Sequence, residues 1–171
     1  LSGRDYVFRF SEDELREHLD ARLPYEGRHL FVFDVTLDNP RIDLIEGSER
    51  IYGGVDVFLN VDFAGAKLAL SGAADISGGM RYDPLERAFY LNDPVIEDLR
   101  LSGVPATYAN RANSAISMAL GEFYQSRPIY VLDADTAAKS AARLLLKDIA
   151  VQDEHLVVTL GLNTTAQQTD E

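Results

Sequence analysis

The stretch IYGGVDVFLNVDFAGAKLALSGAADISGGMRY, residues 51–82, alternates apolar with small or polar side chains for longer than an ordinary strand requires. From Ile51 to Phe63 the odd positions Ile51, Val55, Val57, Leu59, Val61 and Phe63 are apolar, with Asp56, Asn60 and Asp62 between them; Phe58 is the exception. After Gly65 the even positions take over, in Leu68, Leu70, Ala74, Ile76, Met80 and Tyr82, against Lys67, Ser71, Asp75, Ser77 and Arg81. A period of two marks strands with one buried face. The seventeen residues from Ala66 to Tyr82 would run roughly 55 Å as one strand, where about 5–6 residues are usual. Two such strands joined by a short turn make a long hairpin that must twist and bend.

Working outward, Gly72, Gly78 and Gly79 interrupt the longer run and allow sharp coiling of the sheet. On the N-terminal side, Leu30–Leu37 alternates around Phe31, Phe33, Val35 and Leu37 and predicts a strand. Leu37-Asp38-Asn39-Pro40-Arg41-Ile42 then finds a near copy beyond the hairpin in Leu91-Asn92-Asp93-Pro94-Val95-Ile96. Proline cannot donate to a ladder, so each segment marks an edge or a bulge; a bend is a simpler reading than a paired-carboxylate site. The two copies hint at a weak internal duplication. Val95, Leu99 and Leu101 predict a further strand, with irregular phase near Ile96.

Ahead of all this, Tyr6, Phe8 and Phe10 alternate as an opening strand. Ser11 and Glu14 then form a capping box, with Phe10 and Leu15 as its hydrophobic staple, and predict a helix ending before Pro24. Pro105 opens a second helix over about Ala106–Tyr124, striped by Ala109, Ala112, Ile116, Ala119, Leu120 and Phe123. Small side chains in that stripe let a sheet approach closely or, if it stays back, leave room for a ligand. Pro128–Leu132 reads as a short extended piece, and Asp133 or Asp135 caps an alanine-rich third helix through about Leu144 or Leu145. Leu145, Ile149 and Val151 predict a strand, and Leu156, Val158, Leu160 and Leu162 another that closes the sheet. A single domain over residues 1–162 is expected, followed by a polar, disordered tail over 163–171.

Composition narrows the function classes. A net charge of −12, from 28 acidic and 16 basic residues, argues against nucleic acid and against electrostatic docking on anionic lipid. There is no cysteine, hence no disulfide or thiolate metal site. No apolar run approaches the ~20 residues of a membrane span. The chain starts at Leu1 rather than Met, as a processed or trimmed product would. His18, His29 and His155 have no metal-ligand spacing and read as surface residues. Nucleophile elbow, phosphate loop and dinucleotide fingerprint are all missing, and Asp34, Asp56, Asp62 and Asp75 fall on the polar register of strands. The expectation is a protein that is not an enzyme and carries no cofactor or metal.

Further along, Tyr108-Ala109-Asn110, Ala119-Leu120, Phe123-Tyr124-Gln125, Pro128-Ile129-Tyr130-Val131-Leu132 and Ala141–Val151 form a pattern, as does Tyr6–Leu15 at the start. Together they resemble the YceB-like lipoproteins of Gram-negative bacteria, over most of the chain in order. The Pro-Ile-Tyr-Val-Leu segment and the Leu-Lys-Asp-Ile-Ala-Val strand are the most specific pieces. The resemblance implies a periplasmic domain anchored through a lipidated cysteine upstream of Leu1, which this chain does not contain. It also implies a fold similar to the tubular lipid-binding (BPI-like) proteins, whose coiled sheet wraps a helix around acyl chains or other apolar ligands.

The combined expectation is an α+β domain: a long, strongly curved antiparallel sheet around the Ala106–Tyr124 helix, with one or two further helices. A lipid or other hydrophobic ligand would lie between sheet and helix. Val57, Leu59, Val61, Phe63, Leu68, Leu70 and Ile76 would line it from the sheet, and Ala112, Ile116, Ala119, Leu120 and Phe123 from the helix. The alternative is a structural or interaction module of the cell envelope with a solidly packed core and a protein partner.

Overall fold

The computed structural model describes residues 5–63, 65–133 and 144–162. The expected third helix falls mostly on residues 134–143 and the polar tail on 163–171, so both lie outside the described residues.

Strand β1 (Tyr6–Ser11) runs directly into α1 (Glu12–Asp20). The Ser11 hydroxyl accepts from the Glu14 backbone N–H at 3.1 Å, and the Ser11 N–H donates to the Glu14 carboxylate at 3.0 Å. This closes the capping box and satisfies two donors that the first helical turn would otherwise leave open. Leu15 and Leu19 are buried on the opposite face. Strand β2 (Tyr25–His29) follows, then β3 (Phe33–Asp43), β4 (Ile51–Phe63), β5 (Ala66–Asp83) and β6 (Ala88–Leu101). The pattern did not predict β2, because Glu26, Gly27 and Arg28 carry no apolar alternation.

The central hairpin has the expected register. Val55 pairs with Ala74, Leu59 with Leu70 and Val61 with Leu68, bringing the odd positions of β4 and the even positions of β5 to one face. Val55, Val57, Leu59, Ala74 and Ile76 are buried there, whereas Phe58 is 40% exposed on the other side. Both proline segments are bulges. The β3–β4 register shifts between Asp38 and Arg41, and the β5–β6 register shifts near Ser77 and Gly79, opposite Pro94. Asn39 (φ 53°) and Asp93 (φ 47°), each just before its proline, are left-handed, a conformation that Asn and Asp tolerate better than most residues.

A short 3-10 turn (Ala106–Tyr108) leads into α2 (Ala109–Ser126), which packs on β2, β3 and β6. Its buried face holds Ala112, Ile116, Ala119, Leu120 and Phe123, together with Ala115 and Tyr124. Strand β7 (Tyr130–Val131) adds to β6 and completes a six-stranded antiparallel sheet in the order β2-β3-β4-β5-β6-β7.

The C-terminal strands depart from the expectation of one closing sheet. β8 (Leu144–Gln152) and β9 (His155–Leu162) form a separate three-stranded sheet with β1, in the order β1-β9-β8. Their free edge is taken by the N-terminal strand, Tyr6 opposite Leu160 and Ser11 opposite His155, a pairing that no local signal announces. The β3–β4 loop ties to β8 through Gly47 N–H to Val151 O and Val151 N–H to Ser48 O, both 2.9 Å. Within β8, Leu144 is buried and Leu145 is 41% exposed. A bulge between Leu146 and Asp148 inverts the facing, so Leu145 lies on the side opposite to Val151. Leu162, at the end of β9, is 36% exposed.

Candidate ligand grooves beneath the bulges

Beside the bulges, one row of residues crosses four strands: Ile42 pairs with Gly53, Gly53 with Ile76, and Ile76 with Ile96. At its β4 position the row needs glycine, because a Cβ on Gly53 would overlap the Arg41 carbonyl oxygen across the strand pair. Open space gathers along this row. A groove of about 710 Å³ lies between the first turn of α1 and the strands, over Ile42, Tyr52, Gly53 and Ile76. A second, of about 290 Å³, runs between β6 and α2, lined by Ile76, Pro94, Ile96, Ser117, Leu120 and Gly121. Pro94 and Gly121 also border a third, of about 580 Å³, with Arg81 and Gln125 at its rim. Ile76 lines the first two and a void of only about 20 Å³ that reaches Leu91, Tyr124 and Ile129.

The residues expected to line a ligand are distributed unevenly over this space. Val57, Leu59, Val61, Leu70, Ile76, Ala112, Ile116, Ala119, Leu120 and Phe123 belong to one contiguous buried core. Only Ile76 and Leu120 among them border a groove. Leu68 is 36% exposed near the hairpin turn, and the Phe63 side chain lies outside what is described. Alternation finds the inner face of a sheet, whereas the gaps arise where alternation fails. Pro94 and Ile96 were already signalled by the proline and the broken phase; Ser117 and Gly121 were not.

Electrostatics concentrate near the same row. The Arg41 guanidinium donates to Asp56 at 2.9 Å and lies 3.9 Å from Asp75. Asp75 in turn receives Arg100 at 3.0 Å, and Arg100 also pairs with Asp98. The Arg100 hydrogen bond, assisted by its charge, holds the Asp75 carboxyl below the usual range. Ser77 is fully buried at the bulge; its hydroxyl accepts from Arg50 at 2.9 Å and donates to Glu97 at 2.5 Å. Burial pushes the Tyr124 phenol up, with the Arg41 charge opposing it, so that hydroxyl stays neutral.

The histidines are not all simple surface groups. Tyr25 O–H and His29 Nε2 are 3.0 Å apart, bridging over Gly27, where a Cβ would crowd both. His29 lies 3.9 Å from Glu122. Burial and the Glu122 hydrogen bond push the Tyr25 phenol up to about 12. The pair clamps β2 to α2. His18 packs against Tyr130 with ring centroids 4.0 Å apart, and burial lowers its pKa. His155, whose Nδ1 meets the Asp153 carbonyl at 2.8 Å, opens β9 beside the exposed Asp153–Glu154 turn and is half-buried. Among the described residues no three His, Asp or Glu side chains gather as a metal would need.

The architecture is therefore that of an α+β domain in which a long, bent antiparallel sheet packs on a helix, with grooves where the bend parts them. The chain belongs to the family described as Protein of unknown function (DUF1439), whose profile matches residues 10–155. No curated protein matches it. Among solved structures it is similar to a lipopolysaccharide binding protein, at 14% identity and a TM-score of 0.41 over 95% of this chain. The chain spans about half the length of that protein, 50% of which is covered.

Proposed function

We propose that this chain is a non-enzymatic periplasmic domain of a lipid-anchored protein, as the YceB-like resemblance implies, and that it holds the apolar part of a lipid or other hydrophobic molecule. The observation that carries the reading is the groove between β6 and α2, bordered by the apolar side chains Ile76, Pro94, Ile96 and Leu120. Its volume of about 290 Å³ lies just below the range of small-molecule sites, about 300–1,000 Å³, and the neighbouring grooves of about 580 and 710 Å³ lie within it. Apolar surface held open in this way gains about 25 cal/mol per Å² when a ligand covers it.

Native mass spectrometry of gently purified protein, followed by lipid extraction, tests the reading. A co-purifying lipid mass, or saturable uptake of a fluorescent fatty acid competed by unlabelled lipid, is the expected result. A clean apo mass together with no uptake overturns it.

One observation favours a second reading, a structural or interaction module of the envelope. Val57, Leu59, Ala112, Ile116, Ala119 and Phe123 are packed to 0–1% exposure, so the face of α2 that carries Ala112, Ile116, Ala119 and Phe123 is filled against the sheet. A stoichiometric protein partner recovered from membranes, with no lipid, is the outcome that reading expects.

A further inference from the structure

The groove of about 710 Å³ differs in chemistry from the one beside α2. Its floor is apolar, made by Ile42, Ile45, Tyr52 and Ile76, and its rim carries Glu12, Asp13, Asp43, Asp75 and Glu97. Two cations, Arg16 and Arg41, also line it, and both are already matched. Arg16 lies 3.5 Å from Asp13, and Arg41 is held by Asp56 and Asp75. Asp75 is shared further with Arg100. Three rim carboxylates remain without a salt bridge among the described residues. Glu12 accepts the Leu44 N–H at 2.8 Å, Glu97 accepts the Ser77 hydroxyl, and the Asp43 carboxylate has neither kind of partner. The groove thus joins an apolar floor to five carboxylates against two arginines, with the Arg50 guanidinium reaching Glu97 only through the shared Ser77 hydroxyl, in a chain whose net charge is already −12.

We infer that this groove takes the head of a cationic amphiphile, a molecule with a positively charged amine or quaternary ammonium on an apolar chain. An ammonium at the rim gains from this excess of carboxylates, Asp43 above all, whereas a phosphate, sulfate or carboxylate meets the same charges as repulsion, with no unmatched cation among the lining residues to receive it. Tyr52 adds an aromatic wall, a surface that favours quaternary ammonium. Ile76 lines both this groove and the one beside α2, so the apolar chain of such a molecule would leave the rim toward β6 and Leu120. The inference rests on the reading of the grooves as sites for an apolar chain and adds the choice of head group.

The test compares three probes that share a dodecyl-length chain, each kept below its micelle concentration: dodecyltrimethylammonium, dodecanoate and monolauroylglycerol. Affinities come from calorimetry, and contact sites from backbone amide shifts. The expected result is at least about tenfold tighter binding of the cation than of the anion, with the neutral probe between them, weakening as salt is added. Amide shifts should centre on Ile42, Ile45 and Tyr52. Asp43→Asn, an exposed substitution that breaks no hydrogen bond, should weaken the cation by about 2–5-fold and leave the neutral probe unchanged. Equal affinity for all three probes overturns the head-group choice and leaves the apolar site standing. Binding of none overturns both. Cation binding that shifts amides elsewhere and ignores Asp43→Asn also overturns the inference.

Discussion

Two places in the long sheet are built from nearly the same residues, Asp38-Asn39-Pro40 in β3 and Asn92-Asp93-Pro94 in β6, and they make the same backbone defect. Each puts a left-handed residue before a proline and shifts the register of the strand beside it. Their surroundings differ. The first bulge is cross-linked: Arg41, just past the proline, spans to Asp56, and Gly53 packs backbone against backbone. The second is tight on one side only: a Cβ on Gly78 would crowd the Asn92 carbonyl, whereas Gly79 has nothing within 4 Å of where a Cβ would sit and Val95 is 48% exposed. A bulge is thus a local event, but whether the space beside it is rimmed with charge or lined by apolar side chains depends on what other strands and helices bring to it.

Glycine substitutions should break this comparison most sharply. Gly53→Ala forces a methyl against the Arg41 carbonyl and should cost about 2–3 kcal/mol in urea melts, as overpacking does. Gly79→Ala at the second bulge should stay within about 0.5 kcal/mol. Similar losses at the two positions would show that both bulges are equally tight.

A smaller effect should come from filling the slack side. Gly121 faces both grooves beside Pro94, and nothing lies within 4 Å of a Cβ built on it. Gly121→Leu should raise helix stability by up to about 0.8 kcal/mol, since glycine is a poor helix former. It should also cut uptake of a neutral fluorescent lipid several-fold. Undiminished uptake in a stably folded variant would place the lipid elsewhere.

The smallest effect tests the charged side. The folded pKa of Asp75 is depressed, chiefly by its Arg100 hydrogen bond, so its contribution is present above the ordinary aspartate range and is lost as pH falls through the folded value. The stability gap between wild type and Asp75→Asn should therefore be small and constant above about pH 5, and close below about pH 4. The pair is solvent-exposed, so added salt should narrow the gap as well. A gap that widens in acid would reverse the assignment.

Much of this was legible in the residues, and the places where it was not have a common cause. The hairpin register followed from alternation, because a one-residue slip would turn Val55, Val57 and Leu59 out to solvent. The α1 start followed from Ser11 and Glu14, and both bulges from their prolines. β2 escaped because Tyr25 and His29 are held by each other and by Glu122 on a distant helix rather than by an apolar pattern. The Leu145 facing was missed because a bulge shifts phase without leaving a proline behind. Of the expected lining, Ile76 and Leu120 border the groove beside α2, at the bulge where sheet and helix part.

By itself, then, the sequence determined the elements whose causes are local: alternating strands, a capped helix, an alanine-striped helix and two proline-marked breaks. Periodicity and capping act over a few residues, and so can be read along the chain. The tertiary structure alone decided that β8 and β9 pair with β1 in a second sheet, and that the Ala112, Ile116, Ala119 and Phe123 face of α2 is packed shut. It also decided that Ile76 borders both an acid-rimmed groove and an apolar one. Those outcomes depend on contacts between residues far apart in the chain, where close packing rather than pattern settles what is filled and what stays open.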